Sequence, residues 1–85
     1  MNGEMMLKQA AAIVGNRRET YGEPSASMTA IAKRWSITLG QPITPSQVAL
    51  CLIDLKLARL AHDPGHLDSM IDVAGYAAVL KEGSR

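Results

Sequence analysis

The sequence predicts an all-α fold: one compact domain of about four helices, with a central antiparallel helical hairpin. Three observations lead to this prediction. No segment alternates apolar and polar residues as a strand does. Aromatic residues make up only 4% of the chain, so Ala, Leu and five Met must fill the core, which suits close helix packing. Gly and Pro divide the 85 residues, which we expect to form a single domain, into segments of helical length.

The first half of the chain is predicted to contain two helices separated by a polar segment. The first helix covers residues 3–18, where apolar side chains recur near helical spacing. Residues 16–24 contain several turn-forming residues and predict a loop. The second helix covers residues 25–39, with Ser25 as its N-cap and Gly40 as the residue after its end.

The segment Thr44-Pro45-Ser46-Gln47 is the clearest helix start in the sequence. Thr44 suits the N-cap, Pro45 suits the first helical position, and Gln47 completes a capping box. The third helix therefore covers residues 45–62, and it is apolar on almost every face. Such a helix lies at the centre of a fold or between subunits. Because the chain has few other helices to cover it, we expect a homo-oligomer.

A short turn containing Pro and Gly leads into a fourth helix over residues 66–81. Antiparallel pairing about this turn brings Lys56 level with Asp72, and Arg59 or Leu60 level with Asp68. Two interpretations of these charges remain open. The first is that they form ion pairs that fix the register of the two helices. The second is that they belong to a binding site, in which the lysine and the arginine face phosphate oxygens.

Three carboxylates form a candidate metal site. Asp68 and Asp72 share one face of the fourth helix, and Asp54 is expected near Asp72. Mg²⁺ prefers a few carboxylates together with water and substrate phosphates, so these residue types are suitable. Gly75 continues the same face, where the missing side chain allows a ligand or another backbone to approach closely.

A short basic and aromatic group, formed by Arg17, Arg18 and Tyr21, falls in the predicted loop. One interpretation is a solvated loop without a ligand. The other is a nucleotide site, in which arginines pair with phosphate and the aromatic ring stacks on a base.

Charge, hydropathy and cysteine content exclude several classes of protein. Nine basic and eight acidic residues, a net charge of +1, do not provide the basic face of a general nucleic-acid-binding protein. The apolar runs are too short to span a membrane, and the N-terminus has no signal-peptide pattern, so we expect a cytoplasmic protein. Cys51 is the only cysteine, which excludes a disulfide within the chain, and we expect a buried structural thiol.

Four segments occur in a familiar order and spacing: Arg18–Gly22, Ile31–Trp35, Asp54–Leu60 and Asp68–Tyr76. They resemble a family of small proteins of tailed phages and prophages, in which a YG loop, a KLARL helix and a DSxxDxAGY helix recur. That family is distantly similar to the MazG-type all-α nucleoside triphosphate pyrophosphohydrolases and to phage domains associated with nucleotide modification.

The resemblance implies an oligomeric helical pocket for a small anionic nucleotide. The residues expected to line this pocket are Arg17, Arg18, Tyr21, Lys56, Arg59, Asp68, Asp72 and Tyr76. The MazG-type enzymes hold Mg²⁺ with a Glu-x-x-Glu pair and a Glu-x-x-Asp pair. This sequence offers instead Asp54, Asp68 and Asp72, with the last two four residues apart.

This smaller carboxylate set favours binding over hydrolysis. We expect an oligomeric phage protein that binds a nucleotide without cleaving it, needs no cofactor, and acts as a sponge for a signalling nucleotide in the cytoplasm of the bacterial host. The alternative is a Mg²⁺-dependent nucleotide pyrophosphohydrolase of the MazG-like type, with the three aspartates as metal ligands. A second alternative is a structural or partner-binding phage protein.

Overall fold

Four α-helices account for most of the chain in a computed structural model, which describes residues 1–83. They are α1 (Gly3–Tyr21), α2 (Pro24–Leu39), α3 (Pro45–His62) and α4 (Leu67–Gly83). No strand occurs within that range, so the all-α prediction is confirmed. The predicted domain also includes Ser84 and Arg85, which lie outside the described residues. None of the four helices in residues 1–83 is long and apolar enough to cross a membrane.

The start of α3 is fixed by the predicted capping box. The Thr44 side-chain oxygen accepts the Gln47 backbone N–H at 3.1 Å, and the Gln47 side chain accepts the Thr44 backbone N–H at 2.8 Å. Pro45 occupies the first turn, where its missing N–H has no consequence. The prediction of residues 45–62 as the third helix is confirmed at both ends.

The predicted loop over residues 16–24 is wrong for most of its length, because α1 continues to Tyr21. Neither Gly nor Pro interrupts the chain between residues 16 and 21. The Thr20 hydroxyl donates to the Asn16 carbonyl at 3.1 Å. The helix ends at Gly22, whose φ of 82° suits a residue without a Cβ. The basic and aromatic group thus lies on a helix rather than in a loop.

The starts of α2 and α4 differ from the prediction by one residue each. Pro24 is the first residue of α2, which makes Glu23 the N-cap in place of Ser25, because proline is favoured in the first helical turn. His66 precedes α4, and its ring Nδ1 accepts the Ser69 backbone N–H at 3.3 Å. The same nitrogen lies 2.7 Å from the Ser69 hydroxyl. This histidine therefore acts as a helix cap.

The helix that contacts all the others is α4. It packs most extensively on α3, and also on α1 and α2. By contrast α3 packs on α2 and α4 with one side only, so one chain leaves part of this helix uncovered, as expected from the small number of helices. Cys51 is exposed on the uncovered side. The prediction of a buried thiol is wrong because neighbouring helices do not reach that side.

The capping box gives a test of the fold. Thr44→Ala removes the acceptor of the Gln47 N–H, and we expect the free energy of unfolding to fall by about 1 kcal/mol. Thr44→Ser keeps the acceptor, and we expect its free energy of unfolding to lie within a few tenths of a kcal/mol of that of the wild type. Urea denaturation followed by circular dichroism measures both. Equal losses in the two variants would contradict a capping role for the threonine oxygen.

Candidate ligand-binding groove

A groove of about 550 Å³ lies between α1, α2 and α4, with Leu52 of α3 contributing to its wall. It exists because α1 and α2 both pack on α4 but have no extensive contact with each other in the described part of the chain. Most of the lining side chains are apolar: Ala10, Ile13, Val14, Met28, Ile31, Leu52, Ile71 and Val79. A concave, largely apolar site of this volume with a few polar groups is typical of small-molecule binding.

Arg17 and Tyr21 occupy the part of the groove formed by the end of α1. They are four residues apart and share one face of the helix. The Arg17 guanidinium carbon lies 4.8 Å from the centre of the Tyr21 ring, a cation–π contact. Across residues 1–83, no carboxylate lies within ion-pair distance of Arg17. Its hydrogen-bond donors are therefore open to an anionic ligand.

Arg18 has a different role, because one step along α1 rotates its side chain by about 100°. Its guanidinium pairs with Glu82 near the end of α4. Its Nε also lies 3.5 Å from the carboxylate of Glu23 at the start of α2. The hydrogen bond and charge of Glu82, with the charge of Glu23, raise the pKa of Arg18 above its ordinary value. Arg18 joins three helices and does not line the groove.

The predicted pairing of Lys56 with Asp72 is present, with 3.2 Å between the Lys56 Nζ and an Asp72 carboxylate oxygen. Asp72 and Tyr76, two of the candidate ligand-binding residues, both line the groove from α4. Both partners of the ion pair are half-buried, with 30% and 39% of their side chains exposed. The lysine thus fixes the orientation of a carboxylate in the groove wall.

Three other charged candidates lie outside the groove: Asp54, Arg59 and Asp68. All three are exposed, and the expected Arg59–Asp68 ion pair does not form among the described residues. Asp54 is two positions from Lys56, about 200° around α3, and so points away from the Lys56–Asp72 pair. Within residues 1–83, no three His, Cys, Asp or Glu side chains are placed to hold a metal ion together.

The apolar walls of the groove are a feature that the sequence does not reveal. Ile13, Val14, Met28 and Ile31 have the spacing of ordinary core residues, and nothing local distinguishes a core position from a groove position. Gly75, which the sequence does single out, lines the groove. A Cβ at this position would lie 3.7 Å from the Val14 Cγ2, an ordinary contact distance. Close packing of α1 on α4 therefore does not require glycine here.

Comparison with known proteins assigns the chain to a family. Residues 4–84 match the family described as a domain of unknown function, DUF6378. The chain belongs to this family. The match covers α2, α3, α4 and all of α1 except Gly3, and it includes every residue that lines the groove.

Two relatives of the DUF6378 chain are proteins of bacteriophages, which supports the expected resemblance to small phage proteins. The Gene 55 protein of Mycobacterium phage L5 is 38% identical over 71 residues, which cover 82% of this chain and 46% of the relative. The Gene 55 protein of Mycobacterium phage D29 is 34% identical over 79 residues, covering 92% and 52%. The chain spans about half the length of these curated relatives. No solved structure matches it.

Gly75→Ala tests whether glycine is needed in the groove wall for stability. Alanine is about 1 kcal/mol more favourable than glycine inside a helix, and the new methyl group would make only an ordinary contact with Val14. We expect the free energy of unfolding to rise by about 0.5–1 kcal/mol. Gly15→Ala on α1, where nothing lies within 4 Å of the added Cβ, is the matched control and should give a similar gain. A loss of stability in Gly75→Ala alone would show that the packing of α1 on α4 does require glycine.

Proposed function

We propose that the groove between α1, α2 and α4 binds a small anionic ligand of the nucleotide class and releases it chemically unchanged. The observation that carries this proposal is Arg17, a cation in the wall of a largely apolar groove with no carboxylate partner among the described residues. A guanidinium in such a position suits a ligand that has both an anionic part and an apolar, planar part. Arginine also binds phosphate through two parallel hydrogen bonds.

The aromatic and polar side chains of the groove match the other parts of a nucleotide. Tyr21 is 66% exposed, which leaves ring surface on which a base can stack. Asp72 supplies a hydrogen-bond acceptor for an exocyclic amino group or a ribose hydroxyl, and Tyr76 supplies a phenolic hydroxyl. The apolar walls exclude water from the faces of a bound ring. Together these groups are few and convergent, as in small-molecule sites.

Binding without hydrolysis is supported by the composition of the groove. Phosphoanhydride cleavage assisted by a metal ion requires several carboxylates and an activated water. Among residues 1–83, Asp72 is the one carboxylate that lines the groove, and its charge is paired with Lys56 at 3.2 Å. Arg17 stabilises a bound phosphate without activating a nucleophile. The arrangement thus favours retention of the ligand over its conversion.

The relatives are proteins of phages, so we propose a host nucleotide as the ligand. A phage protein that binds such a nucleotide tightly lowers its free concentration in the infected cell. This is the action of a sponge, and it requires affinity and abundance but no turnover. A signalling nucleotide is the class for which this is effective, because its concentration is low and its receptors respond to small changes.

Substitution of Arg17 tests the proposal. A panel of linear and cyclic nucleotides is titrated by isothermal calorimetry, with and without EDTA. We expect at least one to bind, with little dependence on Mg²⁺, and Arg17→Ala to weaken binding about 10- to 100-fold, since hydrogen bonds to charged groups contribute about 1.5–3 kcal/mol. Tyr21→Ala is expected to weaken binding about 10-fold through lost stacking.

Arg34→Ala is the matched control, because Arg34 is an exposed arginine on α2 that does not line the groove. Its affinity is expected to equal that of the wild type. The ligand is then recovered by denaturing the complex and examined by mass spectrometry for chemical change. Equal affinities of Arg17→Ala and Arg34→Ala would reject the groove as the site. Mg²⁺-dependent release of pyrophosphate that is lost in Asp72→Asn would replace the proposal with hydrolysis.

A further inference from the structure

Between residues 50 and 61, the side of α3 that points away from α2 and α4 is largely apolar. We call it the outer face of α3. Its residues are all exposed and, apart from one aspartate, are apolar: Leu50, Cys51, Asp54, Leu57, Ala58 and Ala61. Leu50 and Leu57 are each 48% exposed, although leucine is among the residues most often buried. The face is independent of the groove, since none of these six residues lines it.

The spacing of these residues is that of a helix–helix seam. Leu50, Asp54, Leu57 and Ala61 are separated alternately by four and three residues. This alternation keeps one stripe of a helix facing a partner helix, as in coiled coils. A helix that only had to cover its own core would need such a stripe on its inner side alone. Here a second stripe faces outward.

The chain exposes more surface than a compact monomer of its mass, and the excess is enough for a dimer interface. It measures 5993 Å², whereas a monomeric protein of 9.1 kDa exposes about 4,900 Å². The excess of about 1,100 Å² is larger than the roughly 800 Å² that each partner buries in a standard interface. The radius of gyration of 13.6 Å likewise exceeds the roughly 12 Å expected for a compact chain of this length.

The buried core of one chain is small, so the exposed leucines of α3 matter for its stability. Within residues 1–83 the buried apolar residues are Ala10, Ala32, Val48, Ala49 and Ile71, and three of these five are alanines. Domains of this size commonly need an additional source of stability. Burial of the two half-exposed leucines of each chain is such a source, because removing apolar surface from water is favourable.

We propose that a second copy of the chain packs on the outer face of α3, to form a two-fold symmetric dimer with antiparallel α3 helices. A two-fold interface uses the same face on both subunits, so one self-complementary face is sufficient. The two-fold axis runs between the two α3 helices, level with the midpoint between residues 55 and 56 of each. The dimer therefore buries this face without closing the groove.

The antiparallel register pairs large residues with smaller ones. It places Leu50 level with Ala61 of the partner subunit, and Asp54 level with Leu57 of the partner subunit. The two Asp54 carboxylates are then not directly opposite each other, which avoids direct repulsion. Cys51 lies beside the seam, closer to position 58 of the partner than to the partner's Cys51. This difference makes the orientation testable.

Light scattering coupled to size-exclusion chromatography tests the interface. We expect the wild type at tens of micromolar to have twice the 9.1 kDa mass of the chain. Leu57→Glu is expected to halve that mass, because it replaces an apolar contact with a carboxylate level with Asp54 of the partner subunit, and like charges repel in an interface with little water. Ile37→Glu is the matched control: Ile37 is 78% exposed on α2, outside the outer face of α3, and this variant should remain dimeric. Circular dichroism reports whether each variant is folded.

Oxidative cross-linking provides a second measurement that does not depend on Leu57→Glu remaining folded. Ala58→Cys with the natural Cys51 is expected to form a disulfide between subunits, because the two positions meet in the antiparallel register. Wild-type protein, which has Cys51 as its single cysteine, is not expected to form a disulfide between subunits. A wild type of 9.1 kDa, loss of the dimer only in Ile37→Glu, or equal cross-linking of the wild type and Ala58→Cys would each overturn the proposal.

Discussion

The packing of three helices on α4 is the constraint on which the rest of the structure depends. Because α1 and α2 both contact α4 without extensive contact with each other, their apolar sides enclose a groove instead of a continuous core. Because α3 packs on α2 and α4 with one side, its opposite side remains uncovered. The groove and the outer face of α3 thus have a common physical origin.

Two adjacent arginines have different roles: one forms ion pairs between helices, and the other faces the groove. Arg18 connects the end of α1 to Glu82 on α4 and to Glu23 before α2, and these carboxylates raise its pKa. Arg17 is the adjacent residue, yet it faces the groove and contacts the Tyr21 ring. Since neighbouring positions on a helix point about 100° apart, consecutive arginines can have separate roles. One stabilises the helix arrangement that presents the other.

Part of the candidate site follows from the sequence, and part does not. Lys56 and Asp72 were paired correctly because a short turn between two helices fixes which positions are level. The sequence correctly groups Arg17 with Tyr21 but predicts a loop for both residues. Their side chains meet because α1 extends to Tyr21, which puts residues four positions apart on one face of the helix. The position of Arg59 outside the groove depends on the rotation of α3 about its axis, which local spacing does not determine.

The sequence by itself determined the helices and the sharpest of their boundaries. Thr44 and Gln47 satisfy each other's backbone groups within one turn, so α3 begins at the same place in any fold. Tertiary structure alone decided which apolar faces are covered, and so why Cys51 is exposed and why Val14 and Met28 border a groove. The physical reason is that caps are local interactions among neighbours in the chain, whereas burial depends on how far each distant helix extends over the surface of another.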